Sequence, residues 1–224
     1  MKDDTDNTSV IVQDGISDIE LTGDIGEFIL KDSVVNINLN TKNGRKSASD
    51  QFHQYRRDLR SLRTKPGKST VKELDAMIVD LNEMAQSFLQ IGSNSIAAQY
   101  MALMARGQFM RGKVDNMWDT VETALSLDPH CEFALLHLGE FHSNIAKRLS
   151  NSDAAKIDWQ KASHYLRTCR EYAASDGAKN NAGFQLCQAL IALEEKEEAS
   201  EVKQWLQSRV TNVDRRKQID SLPV

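Results

Sequence analysis

Four arginines close together are the residues of this sequence best suited to binding an anion. They are Arg56, Arg57, Arg60 and Arg63. A guanidinium can hold a phosphate or a carboxylate through two parallel hydrogen bonds, so this electrostatic patch could bind nucleic acid, with Tyr55 or His53 as stacking groups. The alternative is that the patch docks on an acidic segment of the same chain. The residues alone leave both interpretations open.

Histidine and cysteine lie near each other twice, and neither spacing suits a metal site or an activated nucleophile. The first group is Cys131, His137 and His142, and the second is His164 and Cys169. Residues five apart on a helix diverge by about 140°, so they cannot share a metal without outside help. No Cys-x-x-Cys, His-Glu-x-x-His, Gly-x-Ser-x-Gly or phosphate-binding glycine loop occurs. The sequence therefore predicts no catalytic residue, no metal and no cofactor, and a protein that is not an enzyme.

Composition indicates an ordinary globular protein. Hydrophobic residues make up 40% of the 224 positions and charged residues 27%. No apolar run approaches the roughly 18 residues of a membrane span, and the acidic N-terminus is unlike a signal peptide. The three cysteines are widely spaced, as expected for free and buried thiols. We therefore expect a cytoplasmic protein without a membrane partner.

Charge separates the chain into pieces of different sign. Residues 1–44 are strongly acidic, residues 45–68 are strongly basic, and the remainder is mildly acidic. These boundaries predict an acidic β segment at 1–44, a basic amphipathic helix and hinge at 45–68, a helical domain at 69–210 and a flexible tail at 211–224.

A nine-residue repeat runs through the acidic segment from residue 6 to residue 41. Three apolar columns advance in steps of nine, and one of them is Val10, Ile19, Phe28 and Ile37. Each unit alternates apolar and polar residues and then reaches turn-forming residues, which predicts short stacked strands as a meander or as a short β-solenoid. Such a small sheet needs a partner surface, so docking or homo-oligomerisation is expected. The paired glycines of calcium-binding repeats are missing, so no calcium site is predicted.

The basic stretch predicts an amphipathic helix from Ser49 to Arg63. Its apolar stripe is Phe52, Tyr55, Leu59 and Leu62, at steps of three and four. The stretch Lys65 to Lys68 contains Pro66 and Gly67 and is expected to end the helix and form a hinge.

Helical periodicity continues through the body of the chain. Thr70 and Glu73 form a capping box that predicts a helix from 70 to 91, which Gly92 ends. A second helix is predicted from Ser95 to Met110, with Gly112 as its stop. The first of these helices is expected to cap an array that follows it.

Residues 98–210 resemble the tetratricopeptide repeat. The motif of its first helix is matched in spacing by Leu135, Leu138, Gly139 and His142. One repeat earlier stand Met101, Met104, Ala105 and Gln108. Met117, Val121 and Ala124 fit the second helix, and residues 124–129, ALSLDP, resemble the segment that closes the unit.

The later units depart from this pattern. In the second unit the second helix, with Ala162, Leu166 and Cys169, arrives about eleven residues late, after an inserted loop over roughly 146–156. A third, degenerate unit follows around Gly183 and Leu206. The resemblance implies a mainly α fold, an antiparallel helical-hairpin array behind the small β segment.

The same resemblance implies a concave groove, lined by first helices, that receives a peptide or a partner's helix. Its contact residues would be Arg106, Phe109, Phe133, Leu136, Glu140, Phe184 and Gln188. The Lys and Asn residues of the family's carboxylate-clamping members are missing from these positions. A more apolar groove with Arg106 and Glu140 as polar anchors is therefore expected.

The function predicted from these features is a protein-binding adaptor or scaffold that is not an enzyme. Its partner would be another protein or peptide, with residues 1–44 available for docking or self-association. The first alternative is a nucleic-acid-associated or prokaryotic defence-type regulatory subunit that uses the arginine patch. The second is a secretion-type chaperone, which would not need the strand array.

Overall fold

The computed structural model describes residues 26–30, 33–37, 42–63, 68–149 and 153–224. Side chains are described for residues 50–63, 70–149 and 153–224. These residues are mainly helical, which confirms the predicted mainly α class. Two short strands, β1 (Gly26–Leu30) and β2 (Ser33–Ile37), pair antiparallel with Phe28 opposite Val35. Most of the nine-residue array lies outside the described residues, and the array stays a prediction.

Nine helices are described after the two strands. They are α1 (Lys42–Arg63), α2 (Lys68–Gln90), α3 (Asn94–Met110), α4 (Val114–Leu127), α5 (Glu132–Leu149), α6 (Asp153–Tyr172), α7 (Asp176–Ala192), α8 (Lys196–Arg209) and α9 (Val213–Asp220). They divide between two compact units, residues 1–129 (unit 1) and residues 130–224 (unit 2). Within each unit, consecutive helices from α2 onwards pack against one another. The predicted array of helical hairpins is confirmed at this level.

Unit 1 is built around α3, which packs between α2 and α4. Helix α3 has twelve buried residues along its length and no polar face. Tyr100 is fully buried at its centre, with ring centroids 5.5 Å from Phe52 and 5.2 Å from Phe88. Phe52 belongs to α1, whose apolar stripe also buries Leu59 and Leu62, as its periodicity predicts.

Unit 2 combines close helix contacts with polar links. Leu166 of α6 packs so tightly against Gly139 of α5 that a Cβ on the glycine would lie 2.5 Å from Leu166 Cγ. The buried Glu132 carboxylate accepts hydrogen bonds from the backbone N–H and the hydroxyl of Ser175, which caps α7. A carboxylate at a helix N-terminus is stabilised by the helix dipole, so this contact joins the starts of α5 and α7.

Three hairpin turns share one geometry. At α2–α3, α3–α4 and α7–α8, a residue with positive φ is followed by a backbone N–H that bonds to the carbonyl five residues earlier, each at 2.9 Å. This is the Schellman arrangement, in which glycine is preferred. The first two turns use Gly92 and Gly112, as expected, while the third uses Glu194 with φ 62.

Two sequence expectations differ from the structure. The predicted inserted loop at 146–156 is helical at both of its described ends, because α5 continues to Leu149 and α6 begins at Asp153. This stretch has no glycine or proline, so lengthening two facing helices satisfies more backbone hydrogen bonds than a loop would. The predicted flexible tail at 211–224 contains α9, which buries Ile219 completely.

Candidate functional site

The groove residues of unit 1 lie near the end of α3. Phe109 is 40% exposed and Arg106 is half-buried, so both reach the surface of this unit. They are three residues apart on a helix and therefore share a face.

The groove residues of unit 2 are less accessible. Phe133 and Leu136 are buried, at 3% and 7% exposure, while Glu140 and Gln188 are half-buried. Phe184 is covered from within the unit, because the Arg215 guanidinium of α9 lies 3.7 Å from its ring centroid. Burial lowers the pKa of Arg215. Glu140 and Gln188 are therefore more accessible to solvent than Phe133 and Leu136.

The arginine patch lies on the side of α1 opposite its buried stripe. Arg57, Arg60 and Arg63 are exposed, and Arg56 is half-buried. Arg57 donates a hydrogen bond of 2.7 Å to Gln54 on the same helix. Three of the four arginines of the patch are therefore exposed on α1.

A second concentration of positive charge lies within unit 2, where sequence inspection predicted none. A cleft of about 300 Å³ opens between α6, α7 and α8. Its lining, named here the basic cleft, consists of Arg167, Arg170, Glu171, Lys179, Trp205 and Arg209. Four cations and one carboxylate therefore surround a single tryptophan.

Helix geometry brings these residues together. Arg170 and Glu171 lie three and four residues after Arg167 on α6, and Trp205 and Arg209 are four apart on α8. Trp205 fits against α7 because Gly183 has no side chain, and a Cβ there would lie 2.9 Å from the indole ring. The guanidinium carbons of Arg170 and Arg209 lie 5.5 and 5.3 Å from the Trp205 ring centroid. Both distances are within the range of a cation–π interaction.

Two of the four cations are held by carboxylates of unit 2. Arg167 donates two hydrogen bonds, of 2.9 and 2.8 Å, to Glu198, and this contact holds the pKa of Glu198 below its usual value. Arg209 donates one of 2.8 Å to Asp176. Among the described residues, no carboxylate forms an ion pair with Arg170 or Lys179. These two cations give the cleft its available positive charge.

Two cysteines and one histidine of unit 2 are buried and packed among other side chains. The thiols of Cys169 and Cys187 are buried, and burial raises the pKa of both, which disfavours the reactive thiolate. Nδ1 of His142 lies 2.7 Å from an Asp158 carboxylate oxygen, and its ring stacks on Tyr165. In the part of the chain that the structure describes, no three His, Cys, Asp or Glu side chains come together as a metal site.

Sequence inspection missed the basic cleft because its members come from three different helices, α6, α7 and α8, and no short sequence window contains them together. A usable signal was nevertheless present in Gly183, which stands in a helical segment without a turn to explain it. A glycine at such a position indicates a close approach by a large side chain. That side chain is Trp205, the floor of the cleft.

The chain matches no protein-family model, no curated protein and no solved structure. Among the described residues, no helix is both long and apolar enough to cross a membrane.

Proposed function

We propose that this protein is a tetratricopeptide-like adaptor that binds a segment of another protein and catalyses no reaction. The observation that carries the proposal is the packing of helical hairpins in sequence order within each unit, with a repeated turn geometry. Arrays of this kind gain stability from neighbouring helices, which leaves extended surfaces available for partners. A cytoplasmic location is part of the same proposal.

The accessible groove positions of each unit, taken by itself, support a contact with a partner. In unit 1 the apolar ring of Phe109 lies on the same helix face as the positive charge of Arg106. In unit 2 the accessible groups are the negative charge of Glu140 and the amide of Gln188. Interfaces commonly combine an aromatic anchor with polar neighbours that select the partner.

Charge reversal at each unit tests this proposal. Partners captured by the full chain and fixed by crosslinking should be reduced by Arg106→Glu or by Glu140→Arg. The matched controls, Lys156→Glu and Glu201→Arg, alter exposed residues by the same charge and should retain every partner. Unchanged capture by both groove variants would refute the groove assignment.

We propose self-association as a second role for residues 1–44. The sequence pattern supports it, because short strands with one apolar face need a partner surface. The number of chains per particle, measured from the mass in solution, should fall when residues 1–44 are removed. An equal oligomeric state of both proteins would contradict this role.

A second candidate function is nucleic-acid binding, favoured by the exposure of Arg57, Arg60 and Arg63 on α1. Binding of single-stranded RNA or DNA should weaken steeply as salt increases, because phosphate contacts release counterions. Replacing the four patch arginines by glutamine should abolish it. Failure of the full chain to retain nucleic acid at low salt would exclude this function.

A further inference from the structure

We propose that the basic cleft of unit 2 binds an acidic segment of the partner protein, with Arg170 and Lys179 as the carboxylate-binding residues. This inference rests on the adaptor function and gives the chemistry of one partner segment. The site is separate from the predicted groove, because none of its lining residues is among the groove positions.

The charge distribution favours an anionic occupant. Arg167 and Arg209 already form ion pairs with Glu198 and Asp176, so their charges are largely neutralised before an anion binds. Arg170 and Lys179 are half-buried in the cleft lining, and among the described residues no carboxylate pairs with either. A carboxylate entering the cleft would gain charge-assisted hydrogen bonds from these two residues without displacing an existing ion pair.

The shape and floor of the cleft favour a peptide over a small inorganic anion. A volume of about 300 Å³ holds several side-chain groups and is far larger than one phosphate ion requires. The Trp205 ring offers an apolar surface on which the methylene groups of a glutamate can pack while its carboxylate contacts Arg170. The combination suits glutamate side chains in an extended segment.

The carboxylates around the cleft disfavour nucleic acid. Glu171 lies in the lining, and Glu195 and Glu198 flank Arg167 at 3.8 and 2.8 Å. A continuous phosphate chain would meet these negative charges at close range, and like charges repel. An extended peptide directs successive side chains to opposite sides, so even hexaglutamate can turn alternate carboxylates away from these groups.

Fluorescence anisotropy with labelled hexaglutamate, at low salt, tests the proposal on the full chain. We expect saturable binding of hexaglutamate and none of hexaglutamine. The double variant Arg170→Gln and Lys179→Gln should weaken binding by about tenfold or more, the equivalent of one lost charge-assisted contact. The control Lys156→Gln with Lys161→Gln removes two exposed charges of α6, the helix that carries Arg170, and both lie outside the cleft lining. It should change binding by less than about twofold.

A conservative variant separates binding from folding. Arg170→Lys with Lys179→Arg keeps both charges and should retain most of the affinity of the wild type. Absence of hexaglutamate binding to the wild type would overturn the proposal. So would an equal loss in the cleft and control variants, or an oligothymidine of equal charge that binds more tightly and depends on the same two residues.

The crosslinked partner distinguishes this inference from the adaptor function itself. A partner that is lost from the Arg170→Gln and Lys179→Gln variant supports the cleft assignment. A partner that stays on this variant but leaves Glu140→Arg would overturn the cleft assignment and retain the adaptor function. A chain that captures no protein would overturn both, whereas hexaglutamate binding would still report the anion preference of the cleft.

Discussion

Units 1 and 2 pack their helices together through different kinds of side-chain contact. Unit 1 surrounds an apolar α3 with its neighbours and fills the centre with the aromatic rings of Tyr100, Phe52 and Phe88. Unit 2 brings helices together at Gly139 and Gly183 and links them with charged and polar groups. In unit 2 the polar links also leave charges lining the basic cleft. This difference places the most distinctive candidate site in unit 2.

The largest expected effect is the loss of the aromatic centre of unit 1. Tyr100→Ala removes a fully buried ring and should lower the free energy of unfolding by about 3–5 kcal/mol. Tyr172→Ala in unit 2 is the matched control, because this ring is 50% exposed and its aromatic contact is a stack on His130, so a smaller loss of about 1 kcal/mol is expected. Hydrogen exchange measured by segment should show the loss in α2–α4. Equal losses for the two tyrosines would remove the distinction between the units.

The second effect tests the close contact in unit 2. Gly139→Ala would force a methyl group against the buried Leu166 and should destabilise unit 2 by about 1–3 kcal/mol. Gly177→Ala serves as the control, since nothing lies within 4 Å of the added methyl, and the better helix propensity of alanine should stabilise α7 by about 0.5–1 kcal/mol. Hydrogen exchange resolved by segment over α5–α8 measures both stability changes. A harmless Gly139→Ala would show that these helices can separate without loss.

The third prediction makes opposite substitutions at equivalent turn positions of the two units. Gly112→Ala in unit 1 places a methyl group at φ 75 and should destabilise by about 1 kcal/mol. Glu194→Gly in unit 2 relieves the same conformation at φ 62 and should stabilise by a similar amount, about 0.5–1 kcal/mol. Thermal unfolding of the two variants should therefore shift in opposite directions. Shifts of the same sign would show that the two turns are not equivalent.

Helices of the fold could be predicted where a local sequence feature, such as a terminating glycine or an apolar stripe, determines the helix. Gly92 and Gly112 end α2 and α3 because positive φ at a helix end favours glycine, and the stripe at Phe52 and Leu59 predicts α1 because burial follows the helical period. Helix α2 begins at Lys68, two residues before the predicted cap at Thr70. Cap positions depend on how the preceding chain enters, and sequence spacing does not determine that.

The candidate site was less predictable because it depends on how side chains of three different helices come together. Lys179 and Arg209 lie thirty residues apart in the chain, and nothing in either local sequence indicates that both line the same cleft as Trp205. Helix α9 escaped prediction for a related reason. Its one buried residue, Ile219, shows no periodicity. The contacts that hold α9 come from other helices: Arg215 lies over the Phe184 ring, and Lys203 donates to the carbonyl of Asp220 at 3.3 Å.

The smallest effect concerns acid stability, which should differ between the units because of His142. Burial lowers the pKa of His142, while the hydrogen bond to Asp158 opposes the shift and limits its size. The folded state then binds protons less readily than the unfolded state, so the stability of unit 2 should decrease as pH falls below about 6.5, the ordinary histidine value. His142→Phe should remove this dependence, whereas the exposed His164→Gln should leave it unchanged. Exchange of α5 and α6 compared at neutral and mildly acidic pH measures the effect, and a pH dependence that survives His142→Phe would assign it to another group.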